Sequence, residues 1–118
     1  MTVHELSIAL AMADELARIA GENNSGKVLH VTLKIGSLSG IVADSLRFAF
    51  DAVKLENPLL SSAEVTIEEI PLVYQCGDCR KTFSSDDMYF PTCPQCESVA
   101  LKIVSGEEQH IANVELEV

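Results

Sequence analysis

Four cysteines stand in two pairs of identical spacing, Cys76-Gly77-Asp78-Cys79 and Cys93-Pro94-Gln95-Cys96, with 13 residues between the pairs. A Cys-x-x-Cys segment can close a tight turn that aims two sulfurs at one point. Two such turns supply four thiolates for a tetrahedral shell with metal–sulfur bonds of about 2.3 Å. Zinc suits this donor set because it accepts four soft ligands without redox chemistry or a strong geometric demand of its own. A closed shell leaves no position for water, so the expected site is structural rather than catalytic, and the segment around it should unfold without metal. Two disulfides, a dithiol redox site and a rubredoxin-type iron centre are the competing readings. The doubled pair at this spacing favours zinc, since a redox Cys-x-x-Cys would not need its twin. Such modules occur in many functional classes, so the cysteines alone assign no activity.

A second group with metal chemistry is His4, followed by Glu5. An imidazole near a free α-amine, with deprotonated backbone amides between them, can offer a planar set of nitrogens, which suits nickel(II) or copper(II) better than zinc. The plain alternative is a solvated side chain. His30, on the outer face of a strand, and His110, at the start of the last strand, read as surface residues. The Glu68-Glu69 and Glu107-Glu108 pairs read as solvated charges. No Ser/His/Asp or Cys/His set, phosphate-binding loop or open metal site appears, so the chain is not read as an enzyme.

These groups need elements to hold them. Between Glu5 and Ala20 the apolar residues Leu6, Ala9, Leu10, Ala13, Leu16, Ala17 and Ala20 recur at helical spacing, which places His4 just ahead of a first helix ending near residue 20. Lys27 to Ile35 alternates, with Leu29, Val31, Leu33 and Ile35 on one side of a half-buried strand. Gly36-Ser37-Leu38-Ser39-Gly40 forms a loop. Asp44 is the expected N-cap of a second helix whose inner face holds Leu46, Ala49, Phe50 and Val53, with Phe48 the exposed member of the aromatic pair. A second strand, Glu64 to Leu72, has its alternation disturbed by Glu68-Glu69 and Pro71, the mark of a bulge or an edge. The last strand is Gln109 to Val118, with Val114, Leu116 and Val118 on one face. The fold class is therefore α+β: a three-stranded mixed or antiparallel sheet with two helices on it, plus an inserted four-cysteine zinc-ribbon module. Residues 1–72, completed by the strand at 105–118, form one unit, and 73–104 form the zinc-binding one, with a short hairpin expected between the cysteine pairs.

At 118 residues the chain suffices for one core and a small appendage. With 47% hydrophobic and 22% charged residues it is globular in composition. The formal net charge is −10 and no basic run exceeds Arg80-Lys81, which argues against nucleic acid and favours cations and basic partner surfaces. The start carries no basic leader, and no apolar stretch approaches the ~18–20 residues that span a bilayer. The expected location is the cytoplasm, where paired cysteines are metal ligands more often than disulfides.

His4-Glu5-Leu6-Ser7, then Ile35-Gly36-Ser37-Leu38-Ser39-Gly40, then Ser45-Leu46-Arg47-Phe48-Ala49-Phe50, the two cysteine pairs, and the ending Ser105-Gly106-Glu107 through Val114-Glu115-Leu116-Glu117-Val118 together resemble the HypA/HybF family. This is the nickel metallochaperone family of hydrogenase maturation, and the resemblance runs in order over nearly the whole chain. It implies a nickel-binding α/β unit with a zinc ribbon, which helps deliver Ni²⁺ to [NiFe]-hydrogenase. The implied partners are a HypB-type GTPase, the hydrogenase large subunit and, in some organisms, urease maturation proteins; a homodimer is left open. Cys76, Cys79, Cys93 and Cys96 map onto the family's structural Zn²⁺ ligands. His4, with Glu5 beside it, maps onto the site of the transferable Ni²⁺. Two features depart from the pattern. The family usually begins Met-His-Glu, whereas Thr2 and Val3 here separate Met1 from His4, and Glu97 stands where relatives often carry a histidine. Thr2 is small enough for Met1 to be removed, and the start Thr2-Val3-His4 would then offer an amine, two amides and an imidazole as a complete planar set. The alternative function is a zinc-ribbon interaction or scaffold protein without a transferable metal.

Overall fold

A computed structural model describes residues 3–85 and 90–118 of the chain. Helix α1 covers Val3–Glu22, strand β1 Val28–Gly36, helix α2 Ala43–Leu55 and strand β2 Glu64–Ile70. Strands β3 (Val73–Cys76), β4 (Thr82–Ser84), β5 (Leu101–Ser105) and β6 (Gln109–Leu116) follow. They form two three-stranded sheets, ordered β2-β1-β6 and β4-β3-β5. In the first sheet β1 is central, parallel to β2 and antiparallel to β6. The mixed sheet with two helices is the α+β core read from the sequence. β2 is an edge strand, which is why Glu68 and Glu69 are tolerated in it, and it ends before Pro71.

Both helices lay one stripe on this sheet. From α2, Leu46, Ala49 and Phe50 are buried and Phe48 is exposed. The buried face of α1 is rotated from the expected one: Ile8 and Met12 are inside, whereas Leu10 and Ala17 are exposed. Ala9, Ala13, Leu16 and Ala20 are buried as expected, but leucine and alanine occur on both faces of this helix, so spacing alone set the edge of the stripe at Leu10 and Ala17 instead of at Ile8 and Met12. The alternation of β1 also differs, with Val28 fully buried and Leu29 outside. The register explains this. Val28 pairs with Leu116 and His30 with Glu115, so Leu29 is an extra residue, and such a bulge swaps the faces on either side of it. Asp44 is not the N-cap of α2; Val42 holds that position without a side-chain cap, and Asp44 lies in the first turn, where it still faces the positive end of the helix dipole. β6 stops at Leu116, leaving Val118 fully exposed rather than on the inner face.

Across the cysteine segment, β3 pairs with β4 on one side and β5 on the other. The hairpin thus flanks the first cysteine pair instead of lying between the pairs, where β4 is the only strand among the described residues. The two sheets share no face. The molecule measures 53 × 29 × 17 Å with a radius of gyration of 17.6 Å, against about 13.5 Å for a single compact body of this length.

The sheets meet where β1 ends. A Cβ on Gly36 would lie 2.0 Å from the Gly106 carbonyl oxygen, and Gly106 itself has φ +117 and packs on Leu72. Around them the Gly36 N–H donates to the Glu108 carbonyl (2.7 Å), Ser37 to that of Ile70 (2.9 Å) and Leu38 to that of Gly106 (2.7 Å). Neither backbone can retreat without breaking these bonds. Gly36→Ala should therefore cost about 3 kcal/mol or more in urea denaturation, whereas Gly21→Ala, in α1 with open space around it, should be neutral or stabilising by up to about 1 kcal/mol.

Candidate metal centre

Two turns of the same construction carry the four sulfurs. In the first, the Cys76 N–H donates to the Lys81 carbonyl (2.9 Å), and the Arg80 N–H returns to the Cys76 carbonyl (2.9 Å). In the second, Cys93 donates to Ser98 (2.9 Å) and Glu97 to Cys93 (2.8 Å). The residue after each pair takes the left-handed conformation, with φ 61 at Arg80 and φ 60 at Glu97. Neither is a glycine or asparagine, so nothing in the residue types announced it. Backbone and side-chain contacts lock the turns to each other. The Gly77 N–H donates to the Ala100 carbonyl (2.7 Å), and the Ser98 hydroxyl donates to the Asp78 carboxylate (2.5 Å).

This brings the cysteines together. All four Sγ atoms lie within 4.8 Å of one another, with Cys76 3.4 Å from Cys96 and Cys79 3.6 Å from Cys93. A disulfide needs sulfurs about 2.05 Å apart. A tetrahedron with metal–sulfur bonds of about 2.3 Å has edges of about 3.8 Å, so the cluster fits one four-coordinate ion. Cys76 and Cys93 are buried, Cys79 is half-buried and Cys96 is exposed.

The protons of the four thiols are unevenly held. Cys76 is lowered to about 6, chiefly by the Cys79 N–H that donates to its sulfur, and Cys93 is lowered in the same way by the N–H of Cys96. Cys79 accepts the Lys81 N–H, which pulls it down, yet burial together with Cys93 and Cys76 leaves it raised. At Cys96 the Ser98 N–H also pulls down, but Cys76, burial and the other two sulfurs outweigh it and push the thiol up to about 12. The first cysteine of each turn is thus held below the ordinary thiol range and the second above it.

His4 lies elsewhere. It is exposed and sits within the first turn of α1 rather than ahead of the helix. Glu5 points the other way, 2% exposed, with the Val42 N–H donating to its Oε1 at 3.4 Å. Among the described residues the four cysteines are the only group of three or more His, Cys, Asp or Glu side chains close enough to share an ion, so side chains do not gather around His4. Met1 and Thr2, on which the planar-nitrogen reading depends, lie outside the described residues. His30 is half-buried on the outer sheet face and meets the Thr66 hydroxyl at 2.8 Å.

A four-thiol site carried on an excursion from a helix-covered mixed sheet defines a small metal-binding protein. Among the described residues no helix is long and apolar enough to cross a membrane. A family sequence model, described as hydrogenase/urease nickel incorporation, metallochaperone, hypA, matches residues 3–116. The hydrogenase maturation factor HypA of Chlorobium limicola is 41% identical over 117 residues, 98% of this chain and 97% of that one. The HypA of Geobacter metallireducens is 37% identical over 115 residues, 98% and 100% of the two chains. The chain belongs to the HypA family, whose members are metallochaperones rather than enzymes. The fold agrees with two solution structures at 22% identity: one of HypA protein, with a TM-score of 0.73 over 99% of this chain and 98% of that one, and one of the Ni metallochaperone HypA from Helicobacter pylori, with a TM-score of 0.67 over 95% and 96%.

Metal entry must expel the protons of Cys79 and Cys96. Zinc titration of the metal-free chain near neutral pH in weak buffer should therefore release protons. Because protons compete for the same sulfurs, apparent affinity should fall as the pH is lowered. Binding that released no proton would contradict the assignment.

Proposed function

We propose that this chain binds Ni²⁺ at His4 and helps deliver it to [NiFe]-hydrogenase during maturation, while Zn²⁺ is held permanently by Cys76, Cys79, Cys93 and Cys96. The observation that carries this reading is the contrast between the two groups. Four sulfurs held by two interlocked turns exhaust a tetrahedral ion and leave nothing to exchange. An exposed imidazole in the first turn of a helix can load and unload.

The backbone near His4 supports the same reading. The first N–H groups of a helix have no partner within it, so amides there can serve a metal without any ladder bond of their own being broken. Nickel(II) favours such nitrogen donors, and the arrangement becomes a complete planar set if the mature chain starts at Thr2. The chain divides accordingly into a nickel-binding unit, 1–72 completed by 105–118, and a zinc-binding unit, 73–104, both working in the cytoplasm. A HypB-type GTPase and the hydrogenase large subunit are the expected partners, with urease maturation proteins as further recipients. The net charge of −10 favours association with basic partner surfaces.

Equilibrium dialysis against Ni²⁺ and Zn²⁺ together should leave one zinc and one nickel per chain. His4→Ala should keep the zinc and lose the nickel, and Cys93→Ser should weaken zinc while its unit loses structure. One zinc and no selective nickel in the unaltered chain would instead indicate a zinc-ribbon scaffold.

A further inference from the structure

We infer that Glu5 is a positioning residue that fixes the nickel-bearing turn of α1 from inside the protein, rather than a ligand to the metal. The inference rests on the His4 reading above.

Among the described residues Glu5 is the buried charged residue of the helix-and-sheet core, at 2% exposure. A carboxylate so far from water must be met by donors. Its Oε1 accepts the N–H of Val42, 37 residues away, at 3.4 Å. Val42 is the N-cap of α2, with extended φ −88 and ψ 116, and its aliphatic side chain caps nothing. In a capping box the third helical residue, a Glu or Gln, reaches back to the N-cap N–H. In α2 that residue is Ser45, which is too short, and Glu5 performs the task from the neighbouring helix. Glu5 is also the third residue of α1, so the positive ends of two helix dipoles converge on one anion.

The consequence falls on His4. Successive side chains on a helix diverge by about 100°, so drawing Glu5 inward turns His4 to solvent, as observed. Helix ends fray, and Glu5 pins this one to the start of α2. A carboxylate engaged inside could reach an ion on exposed His4 only by leaving its partner uncapped.

The test uses the full zinc-loaded chain with Glu5→Gln, which keeps the length and the acceptor oxygen, and Glu5→Ala, which removes both. Nickel titration, the visible spectrum of bound Ni²⁺ and hydrogen exchange of the Val42 amide are measured together. Glu5→Gln should bind nickel within about threefold of the unaltered chain with the same spectrum and a protected Val42 amide, against a loss of about tenfold or more and a less protected Val42 in Glu5→Ala. Glu5→Gln that keeps Val42 protected but loses nickel or changes its spectrum would make Glu5 a ligand and overturn the inference. His4→Ala separates the two failures. Nickel retained there sinks the His4 reading; nickel lost there but fully kept in Glu5→Ala overturns the positioning role alone.

Discussion

The backbone contact between Gly36 and Gly106 is the constraint on which the rest of the arrangement depends. The chain leaves the first sheet at Ile70 and re-enters it at Gln109, and both crossings occur beside the end of β1. With a virtual Cβ only 2.0 Å from a carbonyl oxygen, no side chain fits at Gly36. At Gly106, φ +117 is open to glycine and rarely to anything else. This close approach lets β3 and β5 emerge side by side and pair as far as Cys76 and Leu101, so the first metal-binding turn is built on a ladder that starts at the junction. The loop after Gly36 leads in the other direction, to Val42, where Glu5 receives it. One loop therefore touches the foot of the thiol module at one end and the first turn of α1 at the other.

The two metal chemistries of the proposed function differ in donor type as well as in place on the fold. Soft sulfurs converge in a shell whose backbone N–H bonds favour thiolate at Cys76 and Cys93. The imidazole of His4, a borderline nitrogen donor, lies on an exposed helix turn next to the buried Glu5. Affinity alone would not sort nickel from zinc at a flexible mixed site, because geometry and ligand type decide selectivity. On the proposed function, a closed tetrahedron of sulfur on one element and an open nitrogen donor on another would separate a permanent ion from an exchangeable one without moving parts.

Much of this was legible in the sequence, because the strongest signals are short and chemical. Two Cys-x-x-Cys pairs dictated the sulfur cluster, and the helical and alternating patterns gave both helices and the strands of the main sheet. What escaped reading depended on contacts between distant residues. The bulge at Leu29 is a matter of register with β6. The choice between Leu10 and Ile8 as core depended on where the sheet lay under α1. The capping of α2 by Glu5 rather than by Asp44 joins residues 37 apart. Left-handed Arg80 and Glu97 carry no residue-type signature at all. The HypA resemblance drew His4 and Glu5 together as one site, yet the helix that begins at Val3 sends their side chains in different directions.

On the proposed function, this chain holds two metals on chemically distinct donors. X-ray absorption at both metal edges, on full-length chain loaded with zinc and then nickel, tests it most directly. The zinc edge should show four sulfurs at about 2.3 Å, and the nickel edge nitrogen and oxygen neighbours only, one of them imidazole. Sulfur at the nickel edge, or nitrogen replacing sulfur at the zinc edge, would contradict it.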